Sequence, residues 1–225
     1  MMARQAITHL ICDCDGVLLD SESIALRVLH RELLPLLPAW SGADDDEQEE
    51  QRSQALHTAI AHRLGMYTDI LLGEVDLEFE LGLDAAAAER IHQAVAVACG
   101  EEAQPVPGVV EALQAIRLPR AVASNSDAPR IEAGLRRCGL YPQFAGRIYS
   151  GHDVAHPKPA PDVYLAAAAG FNVDPARCVA VDDSVTGVAH DRKTMARKLK
   201  DAGAHQVFED MKQFPQLVSE LIWLR

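Results

Sequence analysis

The chain has 225 residues, 48% hydrophobic and 24% charged, with a formal net charge of −12; this suits one globular unit, or a core carrying a smaller insertion. That charge argues against nucleic acid or an acidic membrane surface as partner, and no basic stripe with interleaved aromatics offsets it. No apolar run approaches the roughly 20 residues that span a bilayer, and the N-terminus lacks the apolar stretch and cleavage site of a signal peptide, so a cytoplasmic protein is expected.

Residues 7–12 form an apolar run that stops at Asp13, and are expected as the first strand. Cys12 and Cys14 alternate there without a second cysteine pair to complete a zinc site, so they read as buried small hydrophobes. With Cys99, Cys138 and Cys178 they make five scattered cysteines, as reduced thiols in the cytoplasm would be.

From Asp20 the pattern turns helical. Residues 24–34 and 85–98 space their apolar side chains near 3.6, and the segment 20–104 is too long for one crossover. It is read as an inserted α-helical cap domain. The acidic run at 44–50 lacks the spaced ligands and glycine of a calcium loop, so it is expected as a solvated loop or helix start. Pro105-Val106-Pro107-Gly108 then stiffens the return.

Beyond it, helices at 109–117, 129–138 and 161–169 separate short apolar runs at 120–123, 147–149 and 178–181. This alternation predicts an α/β fold: a Rossmann-like parallel sheet core with helices on both faces. The core comprises 1–19 and 105–225, discontinuous around the cap. Parallel strands end on one edge, where ligands bind.

Four clusters fall at or near those strand ends. Asp13 and Asp15 lie two apart, so both carboxylates leave an extended strand in one direction. Their repulsion calls for a cation or a proton; Mg²⁺ would provide the former, leaving one acid as nucleophile and the other as acid and base. Alone, Asp-x-Asp-Gly is also found in ordinary turns. Ser124-Asn125-Ser126 offers short polar groups and backbone N–H groups to an anion, or caps a helix. Lys158 sits between two prolines that present it rather than leave it floppy, and a fixed ammonium suits a transferring phosphoryl group. Asp182 and Asp183 end the last strand, where adjacent acids are costly unless they hold a metal. Together these are the parts that phosphoryl transfer requires.

Asp-Cys-Asp-Gly-Val-Leu-Leu-Asp-Ser-Glu (13–22), Ser-Asn-Ser (124–126), Pro-Lys-Pro-Ala-Pro-Asp (157–162) and Val-Asp-Asp-Ser-x-x-Gly (181–187) resemble, in that order, the motifs of the haloacid dehalogenase superfamily. The likeness spans essentially the whole chain and is strongest to the helical-cap phosphatases and phosphosugar mutases. It implies Asp13 as the phosphorylated nucleophile and Asp15 as general acid and base. Ser124, Asn125 and Lys158 would grip the phosphate. Mg²⁺ would be held by the Asp13 carboxylate, the Asp15 backbone carbonyl and Asp183, with Asp182 supporting. Dehalogenases of the superfamily generally lack the second aspartate of the first motif, so Asp15 favours phosphate chemistry.

The resemblance thus implies a Mg²⁺-dependent phosphatase of a small phosphorylated metabolite, such as a sugar phosphate, phosphogluconate or phosphoglycolate, working through an aspartyl-phosphate as a monomer or small homo-oligomer. A phosphosugar mutase of the β-phosphoglucomutase type and a non-catalytic binding protein on the same fold are the alternatives.

Two departures stand out. Pro157 replaces the glycine many relatives carry before the lysine. After Gly187 about one helix and one strand are missing, by deletion or as a segment the sequence does not include, and no apolar strand is expected until 206–208. Substrate choice is expected to fall to the cap, where Arg27, Arg31, Arg52 and Arg63 could meet a second anionic group, although none is assigned. His57 and His62, five apart, do not share a helix face as an i, i+4 pair would, and the histidines are expected in ordinary roles.

Overall fold

The computed structural model describes residues 6–38, 46–183, 205–208 and 210–223. Its centre is a 4-stranded sheet in the order β5-β4-β1-β6, made of β1 (His9–Cys12), β4 (Arg120–Ser124), β5 (Ile148–Ser150) and β6 (Cys178–Val181). All its pairings are parallel. The four apolar runs read as strands are these four, shifted by a residue or two.

Side-chain alternation along β1 and β4 dictates the layering. Leu10, Cys12 and Val122 face α5 (Val109–Ala115), α6 (Ala128–Arg137) and the last described helix (Phe214–Trp223), in a cluster with Leu113, Leu135 and Phe214. Ile11, Ala121 and Ala123 face the opposite way, against Val163 and Ala167 of α8 (Asp162–Gly170). The small side chains on that face let α8 lie close. Burying residues such as Leu10 or Ile11 stabilises the core by about 1.5–3 kcal/mol each.

Register places the chemistry. Cys12 pairs with both Val122 and Val181, so Asp13 and Asp182 leave the sheet beside Ala123 of β4. Ser124 pairs with Ser150 on the next strand out.

Between β1 and β4 the chain passes through β2 (Leu19–Asp20) and four helices, α1 (Glu22–Leu33), α2 (Asp46–Ala61), α3 (Thr68–Phe79) and α4 (Ala85–Glu102), and returns by β3 (Gln104–Pro105). These helices enclose an apolar cluster of their own, including Val28, Leu56, Leu72 and Val95. The sequence had shown α1 and α4; α2 and α3 are additions. Residues 46–50 of the acidic run begin α2, and 44–45 lie outside the described residues. The antiparallel pairing of β2 with β3 closes the excursion: Leu19 opposite Pro105, Asp20 opposite Gln104.

All five cysteines are free thiols, and Cys12, Cys14 and Cys99 are buried, as expected of small hydrophobes. Residues 206–208 form no strand. Phe208 instead stacks on Phe214 at 5.4 Å. The irregular stretch after Gly187 lies outside the described residues. No described helix is long and apolar enough to cross a membrane.

Candidate active site

Asp13 sits where β1 ends, its backbone N–H donating to the Val181 carbonyl at 2.9 Å. Its Oδ1 accepts from the Cys14 N–H at 2.7 Å and faces Lys158 Nζ at 2.8 Å. That ammonium also meets Asp182 Oδ2 at 2.8 Å. Side-chain exposure is 10% for Lys158 and 9% for Asp13, so water screens their attraction little. Burial pushes the Asp13 carboxyl up to about 7; Lys158 works against this, while the charges of Asp182 and Asp15 add to it.

Asp15 is treated differently. Burial would raise its carboxyl too, but Arg130, hydrogen bonds from Ser21 and Ser126, and Lys158 together hold it below its ordinary value. Oδ1 accepts from the Ser21 hydroxyl and from Arg130 Nη2 at 3.4 Å. Oδ2 accepts from Ser126 Oγ at 2.7 Å and Ser124 Oγ at 3.5 Å. Two aspartates two residues apart thus have opposite electrostatics.

The turn between them and β2 depends on Gly16, at φ 75°. A Cβ there would lie 1.9 Å from Asp183 Oδ2, so only glycine lets that acid approach the first motif. Gly16→Ala is expected to cost about 1–2 kcal/mol from backbone conformation alone, and more from displacing Asp183. A melting temperature equal to wild type would contradict this packing.

Asp183 completes an acidic trio: one oxygen each from Asp13, Asp182 and Asp183 lies within 4.8 Å of the others. Burial, then the charges of Glu22, Asp13 and Asp182, push the Asp183 carboxyl up to about 9. Its Oδ1 is buried with no hydrogen-bond partner among the described residues. An orphaned carboxylate oxygen beside two further acids, with a single ammonium to offset them, is a donor set that fits a hard divalent cation such as Mg²⁺.

The anion-binding turn has an internal task. Asn125 Oδ1 accepts from the Lys158 N–H at 2.9 Å, and its Nδ2 donates to the Lys158 carbonyl at 3.3 Å, so this side chain clamps the lysine's peptide. Ser124 Oγ accepts from the Ser126 N–H at 3.1 Å. Asp13, Asp15, Lys158, Ser124, Asn125, Asp182 and Asp183 therefore all meet at one sheet edge.

A cavity of about 480 Å³ opens over Asp13, Asp15, Ser124, Asn125 and Lys158, lined on the helical side by Glu22, Tyr67 and His92 among others. Burial and nearby acids, Asp15 foremost, push the Glu22 carboxyl up to about 7. A groove of about 810 Å³ lies between α2 and α3, lined by none of the site aspartates.

Sequence reasoning missed Arg130, Ser21, Glu22 and Tyr164, and named Ser126 only as part of its turn. Arg130 and Tyr164 lie in helices away from any strand end, and Ser21 and Glu22 follow a two-residue strand too short for the sequence to show. The cap arginines proposed for a second anion are occupied elsewhere: Arg27 with Glu102, Arg31 with Glu32, Arg63 with Glu74 and Glu78, and Arg52 on the Pro38 carbonyl. The cavity's guanidinium comes instead from Arg130 on α6. His152 lines the cavity with its ring 5.0 Å from Tyr67, and His57 packs edge-on to His30 at 5.5 Å.

Carboxylates gathered round one lysine at the C-terminal edge of a parallel sheet, under a helical insertion, mark a capped α/β hydrolase. The chain belongs to the haloacid dehalogenase-like hydrolases, whose family model matches residues 7–189. Within that family it is a phosphatase. It is 30% identical over 176 residues to the 6-phosphogluconate phosphatase of Escherichia coli K12, covering 78% of this chain and 73% of that protein. It is 28% identical over 208 residues to hexitol phosphatase B of the same strain, covering 88% and 85%. A haloacid dehalogenase-like protein from Agrobacterium tumefaciens superposes with a TM-score of 0.75 at 30% identity, covering 96% of this chain and 99% of that one.

Proposed function

We propose that the protein is a Mg²⁺-dependent phosphatase of a small phosphorylated metabolite, such as a sugar phosphate, phosphogluconate or phosphoglycolate. The observation that carries this reading is Lys158 Nζ, 2.8 Å from both Asp13 Oδ1 and Asp182 Oδ2, with Asp15, two residues after Asp13, held separately.

In this reading the bound ester, as its monoanion, gives its proton to Asp15; Asp13 Oδ attacks phosphorus, the bond from phosphorus to the ester oxygen breaks, and Asp15 passes that proton to the departing alcohol. An aspartyl-phosphate remains. Asp15, now a base, takes a proton from water as the water oxygen attacks phosphorus; inorganic phosphate leaves and Asp13 is restored. Lys158 offsets charge on the phosphoryl oxygens, with Ser124 and the turn around Asn125 beside it. Asp13, Asp183, Asp182 and the Asp15 carbonyl would hold Mg²⁺, which when bound would neutralise phosphate charge and keep the acids ionised.

The same reading divides the chain into a core, 1–19 and 105–225, and a cap, 20–104. The separate apolar cluster of α1–α4 and the β2–β3 crossing support it. The cap would exclude water until substrate is bound.

Incubating the protein with a panel of phosphorylated sugars and sugar acids is expected to release inorganic phosphate only when Mg²⁺ is present. An isomeric sugar phosphate without free phosphate would establish a mutase instead. No turnover of any ester, generic aryl phosphates included, would leave a binding protein.

A further inference from the structure

Tyr164 stands outside every motif that carries the expected chemistry, yet it touches both charges behind the reaction centre. It is the third residue of α8. Its hydroxyl donates to Asp182 Oδ2, the oxygen that also accepts from Lys158 Nζ at 2.8 Å. The same ammonium lies 4.9 Å from the centroid of the Tyr164 ring, within cation–π range. One side chain thus puts a donor on the acid and an aromatic face against its partner.

A phenol is a neutral donor, so it compensates a part-buried carboxylate without adding charge to an already crowded site. Two donors on one oxygen restrain rotation of the Asp182 carboxylate. That carboxylate contributes to the acidic trio, and its lysine partner reaches Asp13 Oδ1 at 2.8 Å. α8 packs directly on β4 and β5, so the ring is placed by the core rather than by a loop.

We infer that Tyr164 is a positioning residue of the cation site: by fixing the Asp182 carboxylate and the Lys158 ammonium it sets the affinity for Mg²⁺, touching neither ion nor substrate. The inference rests on the reading that the acidic trio holds Mg²⁺. Groups that orient metal ligands in this indirect way typically change metal affinity or activity by about 10–100-fold when removed.

Tyr164→Phe removes one oxygen and keeps the ring. The expected result, by titration calorimetry on the full chain, is a Mg²⁺ dissociation constant raised about tenfold or more, with the metal-free melting temperature near wild type. Saturating Mg²⁺ should recover most of the turnover and leave the substrate KM little changed. Tyr164→Leu, which also removes the ring from Lys158, should weaken Mg²⁺ binding further. Equal Mg²⁺ affinity in wild type and Tyr164→Phe overturns the inference, as does a lower metal-free melting temperature without a change in affinity. A wild type that binds no Mg²⁺ overturns it together with the metal reading. A wild type that binds Mg²⁺ but hydrolyses no ester sinks the proposed function alone, and weaker binding by Tyr164→Phe would then still support the inference.

Discussion

Asp13→Asn is expected to reduce turnover by about 10⁴-fold or more, the range seen when a covalent nucleophile is removed, while the protein stays folded. An amide of the same shape cannot take the phosphoryl group, and no neighbouring acid can replace it, because Asp15 is tied to Ser21, Ser126 and Arg130. Stability should move the other way. Burial raises the Asp13 carboxyl to about 7, so the native state holds a proton that the unfolded chain has already lost. The cost therefore grows as pH rises from the unfolded value near 3.8 towards 7 and is complete above that. Asparagine cannot ionise and avoids that cost. Measured without Mg²⁺, the melting temperature of the variant relative to wild type should rise between pH 5 and 8. Turnover within tenfold of wild type would remove Asp13 from its proposed role.

The same proton sets the metal dependence. Below about pH 7 a metal-free Asp13 is largely protonated, so protons and Mg²⁺ compete for the trio and the apparent Mg²⁺ affinity should fall as the solution is acidified.

How much of this was legible in the sequence follows from how local each signal is. A strand that ends in acids, as Val179-Ala180-Val181 ends in Asp182-Asp183, states both its conformation and its cost within a few residues. Two such places, with the polar turn after 120–123 and the lysine beyond 147–149, are brought together by the rule that parallel strands end on one edge. The β2–β3 ribbon is two residues per strand, too short for any period to register. Helix α3 carries apolar residues on all sides, with Leu77 83% exposed, so its pattern names no face.

Arg130 and Tyr164 were hidden for a different reason. Each lies in the first turn of a helix whose sequence is explained by its cap and its apolar side, and each reaches its aspartate only through the crossing of that helix over the sheet. Conversely, arginines that looked available on the cap helices are neutralised by glutamates that tertiary packing brings to them, as Glu102 is brought to Arg27.

Asp15→Asn is expected to lower turnover of alkyl phosphates by about 10²–10⁴-fold, the usual contribution of a positioned acid and base. The loss should depend on the leaving group. An alkoxide needs a proton to depart, whereas a nitrophenolate departs as a stable anion, so transfer from an aryl phosphate to Asp13 should suffer far less. The second half of the reaction has no such escape, because water must lose a proton and asparagine cannot accept it. The variant should therefore release nitrophenolate in a rapid burst of one equivalent per protein and then stall, with the phosphoryl group detectable on Asp13 by mass spectrometry.

The cage around residue 15 makes the substitution a clean one. The Ser21 and Ser126 hydroxyls can rotate to meet an amide as readily as a carboxylate, and Arg130, at 3.4 Å, loses only a loose ion pair. Because Asp15 is held below its ordinary value, its charge stabilises the fold above the unfolded value and that contribution disappears as pH falls. Asp15→Asn should accordingly lower the melting temperature at neutral pH, where Asp13→Asn raises it. Opposite shifts from two isosteric changes two residues apart would reflect the division of labour directly: one carboxylate kept close to protonation beside a cation site, the other kept ionised by its neighbours until it receives the proton it passes to the leaving group. Equal losses on alkyl and aryl esters, with no burst, would show instead that Asp15 carries no proton.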